Sequence, residues 1–286
     1  MPIALLPDRA VLLVSGEEAT PFLQGILTCN VETLPEDETR LGALLTPQGK
    51  ILFDFLVSRA GPDAIRLDVA GERAPDLLRR LSLYRLRAKV ALAVDPTHGV
   101  AAAWAEAETS IDVPRYRDGR LPALGARLYF TTGAFSADAA EDDYHAHRIA
   151  LGIPEGGRDF AFGDAFPHEA LMDQIGGVDF RKGCYVGQEV VSRMQHRGTA
   201  RTRILPLVYR DGPAPAAGAE VTAGRHSLGV TGSAAGGRGL AAIRLDRLGD
   251  ALAAGEPVRV GGVVAGVERP VFAGFAFPDD PAASAG

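Results

Sequence analysis

The strongest local constraint on how this chain folds is a pair of apolar runs, Leu41–Thr46 and Lys50–Ser58, flanking Pro47-Gln48-Gly49. The tripeptide has turn chemistry, so the runs read as an antiparallel hairpin. In its second strand Ile51, Phe53, Phe55 and Val57 share one face by the two-residue period, and Leu52, Asp54 and Leu56 share the other. Ala64–Val69 forms a third strand with Ile65, Leu67 and Val69 inward. Ahead of the hairpin, Val11–Val14 reads as a short buried strand. Ser15 and Glu18 then have capping-box spacing, which predicts a helix through about Leu23. Beyond it, Leu77, Leu78, Leu81 and Tyr84 repeat at helical spacing and Lys89–Val94 returns to strand. Residues 95–140 show only weak periodicity. Helical character follows at Ala139–Leu151, His168–Gln174 and Gly187–Met194, with the breaker-rich loop GIPEGGRDF after the first of these.

After about Arg203 the pattern changes to short strands with glycine turns: Leu205–Tyr209, Leu228–Ser233, Leu240–Leu245, Val258–Val260 and Val263–Val267. That spacing suggests a small β-barrel or sandwich. With 286 residues and 47% hydrophobic content, the chain supports a core without a disulfide or metal staple. Its two cysteines, Cys29 and Cys184, are too few for a secreted disulfide framework, a structural zinc or a self-sufficient iron–sulfur site. The N-terminal stretch lacks a basic n-region, and no apolar run approaches the ~20 residues that span a bilayer. These features set the expectation of a cytoplasmic protein with no membrane partner. A net charge of −6 argues against direct nucleic-acid binding.

Chemistry concentrates in VDFRKGCYVGQEVVSRMQHRG, residues 178–198. Gly183 and Gly187 bracket Cys184, and a helix follows, so the thiol is expected near a helix N-terminus. Between 181 and 203 there are six Lys/Arg and His196 against the single acid Glu189. Such an excess favours a thiolate and attracts an anionic ligand. The competing reading of Cys184 is a small buried hydrophobe. Cys29, with no basic neighbours in sequence, reads as structural. Asp54 is either a solvent-facing or arginine-paired carboxylate, or a functional one on a strand otherwise rich in Leu, Ile and Phe. His145 and His147 form an HxH pair without a third ligand in view, so no metal is expected. No strand–glycine-loop–helix context for phosphate is present.

The runs FLQGILTCNV (22–31), GALLTPQGKILFDFLV (42–57), YRLRAKV (84–90), GIPEG (152–156), KGCYVGQE (182–189) and RMQHRG (193–198) together resemble the YgfZ family. That family is similar in fold to the folate-dependent aminomethyltransferase of the glycine cleavage system. The resemblance implies an α+β, aminomethyltransferase-like folate-binding fold: two interleaved α+β domains (1–48 with 140–202, and 49–139) and a C-terminal β-barrel (203–280) around a central opening, with a disordered tail at 281–286. It also implies a protein that binds tetrahydrofolate or a derivative and supports assembly or repair of iron–sulfur enzymes, including radical enzymes that thiolate tRNA. Its partners would be iron–sulfur client enzymes or assembly proteins. Cys184 takes the place of the motif cysteine, with Lys182, Gly183, Tyr185, Gly187, Gln188 and Glu189 completing the signature. Asp54, Arg148 and Arg193 are the implied cofactor-binding residues. Two departures stand out: Phe53 replaces the first of the transferases' paired aspartates, and Ala150 replaces the glutamate that contacts the pterin. Both weigh against the rival reading, a folate-dependent aminomethyl or one-carbon transferase. A second rival is an RNA- or protein-docking module using the basic run 193–203.

Overall fold

The computed structural model describes residues 2–104, 113–133, 136–198 and 200–278; the expected tail at 281–286 lies outside them. The chain forms two compact units, residues 1–144 with 175–190 and residues 145–174 with 191–286.

The first unit is built on β1 (Ile3–Leu5), β2 (Arg9–Ser15), α1 (Ala19–Gln24), β3 (Glu38–Leu45), β4 (Ile51–Gly61), β5 (Ala64–Ala70), α2 (Ala74–Arg85), β6 (Ala91–Asp95), β7 (His98–Ala103), β8 (Arg115–Asp118) and β9 (Ala126–Thr131). Its nine strands form one sheet in the order β1-β7-β9-β8-β3-β4-β5-β2-β6. Strands β3 and β8 run parallel, and the other neighbours are antiparallel. The expected hairpin is β3–β4, with Ala43 opposite Asp54. Its turn is closed by Thr46 and Lys50 (N to O, 2.8 Å), and Gly49 supplies the positive φ of +81°. Phe53, Phe55 and Val57 enter a core with Ile65, Leu67 and Val69 of β5, Leu23 of α1, and Leu77 and Leu81 of α2.

Two expectations are corrected, and one stretch without an assignment is resolved. Ser15 ends β2 instead of capping α1, and Glu18 accepts a hydrogen bond from the Lys89 amide at 2.6 Å. A contact from 71 residues away outcompeted the local cap. The weakly periodic stretch 95–140 contains β7, β8 and β9. The interval His168–Gln174 is a run of turns, with Leu171 at φ +59°. There the His168 carbonyl accepts from Arg203 Nη1 at 2.7 Å, and Asp173 takes the same nitrogen at 2.6 Å.

The second face of β5 was not legible as a core. Asp68 is fully buried between Arg9 (Nε to Oδ1, 2.7 Å) and Arg127 (Nε to Oδ2, 3.6 Å), with the Tyr129 hydroxyl donating at 3.4 Å. Arg66 stacks on the Tyr129 ring at 4.2 Å. Nearby, Arg120 grips Asp118 through two bonds of 2.9 and 2.6 Å, and Arg120 and Arg127 both donate to the Tyr144 hydroxyl. These charges are sequestered in a network of hydrogen bonds and ion pairs, the condition under which burial is tolerable. Among the described residues Arg127 Nε is held by ion pairing, and neither it nor Nη1 by a hydrogen bond.

The second unit carries the barrel: β10 (Thr202–Tyr209), β11 (Glu220–Ala223), β12 (His226–Ala235), β13 (Arg238–Arg244), β14 (Val258–Val260) and β15 (Val263–Val267), closed in the order β10-β13-β12-β11-β14-β15. Leu205, Leu207, Leu228 and Ile243 fill it together with Leu248 of a helix at Leu245–Ala253.

Burial pushes the Asp118 carboxyl up, but Arg120 and Arg127 outweigh it and hold the group below the usual carboxylate range. The stabilisation is therefore complete above the unfolded-state value near 4 and is lost as pH falls through the folded-state value. Asp118→Asn should lose about 3 kcal/mol or more at neutral pH and show a shallower acid limb in urea melts recorded from neutral pH downward.

Candidate functional site

Three of the sequence runs converge in the first unit. Residues 26–31 follow α1, residues 42–49 hold the end of β3 and its turn, and residues 177–190 return to both. Thr28 stitches the first to the others: its hydroxyl donates to Gly177 O (2.6 Å) and accepts from the Ala43 amide (2.9 Å), while its carbonyl accepts from the Asp179 amide (3.0 Å). Asn30 donates to Asp179 at 3.1 Å.

Lys182 completes the seam. Its ammonium is buried and donates to three carbonyls, Gln24 (2.7 Å), Leu27 (2.6 Å) and Cys29 (2.8 Å). The Tyr185 ring lies 5.5 Å away. Burial pulls this ammonium below its ordinary pKa. Asp179 binds the backbone of the same loop, accepting from the amides of Arg181 (2.7 Å) and Lys182 (3.2 Å). Burial pushes the Asp179 carboxyl up, and these hydrogen bonds, with that from Asn30, bring it net below the usual range.

Cys184 is exposed, so the reading of it as a buried hydrophobe does not hold. It sits with Gly183 on a short exposed stretch between two buried anchors, Lys182 and Tyr185. Burial pushes the Tyr185 phenol up to about 12, and its hydroxyl has no hydrogen-bond partner among the described residues. Gly187 has φ +80°, and a Cβ there would stand 2.5 Å from Thr46 O and 3.0 Å from Gly49 Cα. Only glycine lets the loop close on the hairpin turn. Gly183 has no such requirement: a Cβ there meets nothing within 4 Å. A ten-residue helix, α4 (Gln188–Arg197), begins four residues after Cys184, with Gln188 opening it and Glu189 exposed in its first turn. Beside the loop lies an open cleft of about 420 Å³, lined by Asn30, Thr33, Arg40, Asp179, Phe180 and Arg181. The Arg181 guanidinium makes no hydrogen bond or ion pair among the described residues.

Cys29 occupies the opposite environment. It is fully buried, a Cβ on Gly42 would come within 2.6 Å of its sulfur, and burial raises its thiol to about 11. Asp54 is half-buried on the β4 face away from Phe53 and Phe55. Arg193 is exposed on α4. Arg148 lies in the second unit, on α3 (Glu141–Ala150), with its guanidinium fully buried. It donates to Asp159 (2.7 Å), Ile153 O (3.0 Å), His145 Nδ1 (3.0 Å) and Ser233 (3.1 Å), fastening the loop after α3 to β12. Sequence reading counted Arg181 among the local cations but missed Thr28, inside FLQGILTCNV, and Asp179, inside the stretch 178–198.

Two outcomes follow. Native-state alkylation read by intact mass should label Cys184 alone, with Cys29 reacting only after denaturation. Gly187→Ala should cost about 2 kcal/mol in a denaturant titration.

Comparisons with known proteins agree with this frame. A family model described as the CAF17 C-terminal beta-barrel domain matches residues 201–275. The mitochondrial iron–sulfur cluster assembly factor IBA57 homologue of Pyricularia oryzae is 33% identical, covering 88% of this chain and 74% of its own length. Human mitochondrial IBA57 is 32% identical over 81% of this chain and 72% of its own. The Neurospora crassa homologue is 33% identical over 73% of this chain, which spans 54% of that protein; several fungal relatives are thus much longer than the matched region. In structure, aminomethyltransferase T of the glycine cleavage system from Bartonella henselae aligns with a TM-score of 0.74 at 16% identity, over 95% of this chain and 86% of that one. The fold is therefore the α+β, aminomethyltransferase-like one expected. The cytoplasmic expectation is overturned, because these curated relatives are mitochondrial proteins. The relatives carry the IBA57 name, and the matching family model the CAF17 name, in place of YgfZ. On these matches, the chain belongs to the IBA57/CAF17 family.

Proposed function

We propose that this protein acts in iron–sulfur cluster assembly, with Cys184 as a ligand that holds a cluster in transit between partner proteins. The observation that carries this reading is the contrast between the two thiols: Cys29 is sealed and kept neutral, while Cys184 is held out on a loop whose backbone is fixed on both sides. One thiol cannot complete a cluster, so the remaining ligands come from a partner. The step is ligand exchange: Cys184 releases its thiol proton, its sulfur bonds an iron, and the thiolate displaced from the donor protein takes up a proton. No electron moves. Arg181 beside the loop, without an ion pair among the described residues, suits the negative charge of a thiolate-ligated cluster or of the protein delivering it. Radical enzymes that thiolate tRNA are one class of client.

The second part of the proposal is a reduced folate bound in the first unit through Asp54, with Arg148 acting within the second unit as a positioning residue for the loop 152–159. Support comes from the fold shared with an aminomethyltransferase and from the carboxylate on β4. Phe53 is packed in the core, where the transferases' first aspartate would stand, and this favours a retained pocket over retained transfer chemistry. Cys184→Ala should abolish support of iron–sulfur enzyme activity in cells while keeping fold and folate affinity. Asp54→Ala should weaken tetrahydrofolate binding about tenfold in calorimetry and leave the thiol's reactivity unchanged. Full complementation by Cys184→Ala would refute the first part, and turnover of a methylene-folate by the purified protein would replace the second with the transferase reading.

A further inference from the structure

The run YRLRAKV serves the core only in part. Val90 is buried and Tyr84 half-buried, but Leu83 is 70% exposed and Leu86 88%, the most exposed leucines among the described residues. Leu86 leaves α2 at φ +43°, a backbone that suits glycine and strains a leucine. Arg80, Arg85 and Arg87 are exposed around them, and their guanidiniums have no hydrogen bond or ion pair among the described residues. Their neighbours are neutralised: Arg79 pairs with Asp76, and Lys89 with Glu17. Cations at a helix C-terminus complement its dipole, which accounts for the arginines nearest the helix end. It accounts for neither leucine.

We propose that this end of α2 docks on the surface of an anionic phospholipid bilayer. Leu83 and Leu86 enter the boundary between headgroups and acyl chains, and Arg80, Arg85 and Arg87 meet lipid phosphates. Two leucines fall well short of the roughly 800 Å² per partner that a stable protein interface buries. Apolar tips inside a cationic fringe are suited to a negatively charged lipid interface, the local arginines acting within a Debye length against the chain's overall charge of −6. Among the described residues no helix is long and apolar enough to cross a membrane, and surface docking needs none. The contact is reversible and weakens as salt screens it. It stands independently of the role proposed for Cys184.

The test is flotation of the full chain with vesicles of phosphatidylcholine containing about a third phosphatidylglycerol, against vesicles of phosphatidylcholine alone, at low and high salt. The wild type should bind the anionic vesicles at low salt about tenfold more tightly than the neutral ones. The double variant Arg85→Glu/Arg87→Glu and the single variant Leu86→Gly should each lose about tenfold in that affinity. Leu86→Gly separates docking from folding, because glycine relaxes the backbone at φ +43°: it should melt at or above the wild-type temperature while losing vesicle binding. The proposal is overturned if the wild type ignores anionic vesicles, which would leave the patch to a protein partner, or if Leu86→Gly binds them as well as wild type.

Discussion

The arrangement around Cys184 depends on one buried ammonium. Lys182 is drawn out of water and satisfied by the carbonyls of Gln24, Leu27 and Cys29, with no carboxylate bonded to it among the described residues. Transferring an ammonium from water is costly unless its donors are met, so the three carbonyls must turn toward one point for the unit to form. That requirement curls the chain after α1 and brings the loop 177–185 against it. With Lys182 drawn inward and Tyr185 buried, the intervening Gly183–Cys184 pair is what remains outside. Display of the thiol is thus a consequence of burying the residue two positions earlier.

The same physics recurs away from the site. Asp68 with Arg9 and Arg127, Asp118 with Arg120, and Asp159 with Arg148 each bury charge where hydrocarbon would ordinarily stand. Geometry, not charge count, makes these tolerable, since each carboxylate receives hydrogen bonds or close ion pairs from fixed directions. The loop containing GIPEG is anchored in this way. Gly232 belongs to that anchor: a Cβ there would stand 2.6 Å from the Asp159 carboxylate that Arg148 and Ser233 also hold.

What the sequence revealed was local and periodic. The hairpin 41–58, the α2 stripe Leu77–Leu81 and five of the six barrel strands carry their period in a few consecutive residues and appear close to where expected; β11 (Glu220–Ala223) was not foreseen. Where a distant group intervenes, the local reading fails. Lys89 takes Glu18 from its capping box, and Arg203 takes the His168 carbonyl from a helix. Lys182 shows the limit most clearly. Counted in sequence, it belonged to a cationic surround for the thiol; in the structure its charge faces inward, and Arg181 is the cation left outside. No periodicity distinguishes those two neighbours, because the acceptors that decide between them lie more than 150 residues earlier.

The most direct test of this account is hydrogen exchange by mass spectrometry on Lys182→Met, which keeps most of the side chain's bulk and removes its donors. If the ammonium organises the site, amides in both 24–31 and 177–187 should exchange faster together, while the barrel amides stay as protected as in the wild type. Unchanged protection in those two segments would mean that hydrocarbon packing alone holds the loop, and the account of how Cys184 comes to be displayed would be wrong.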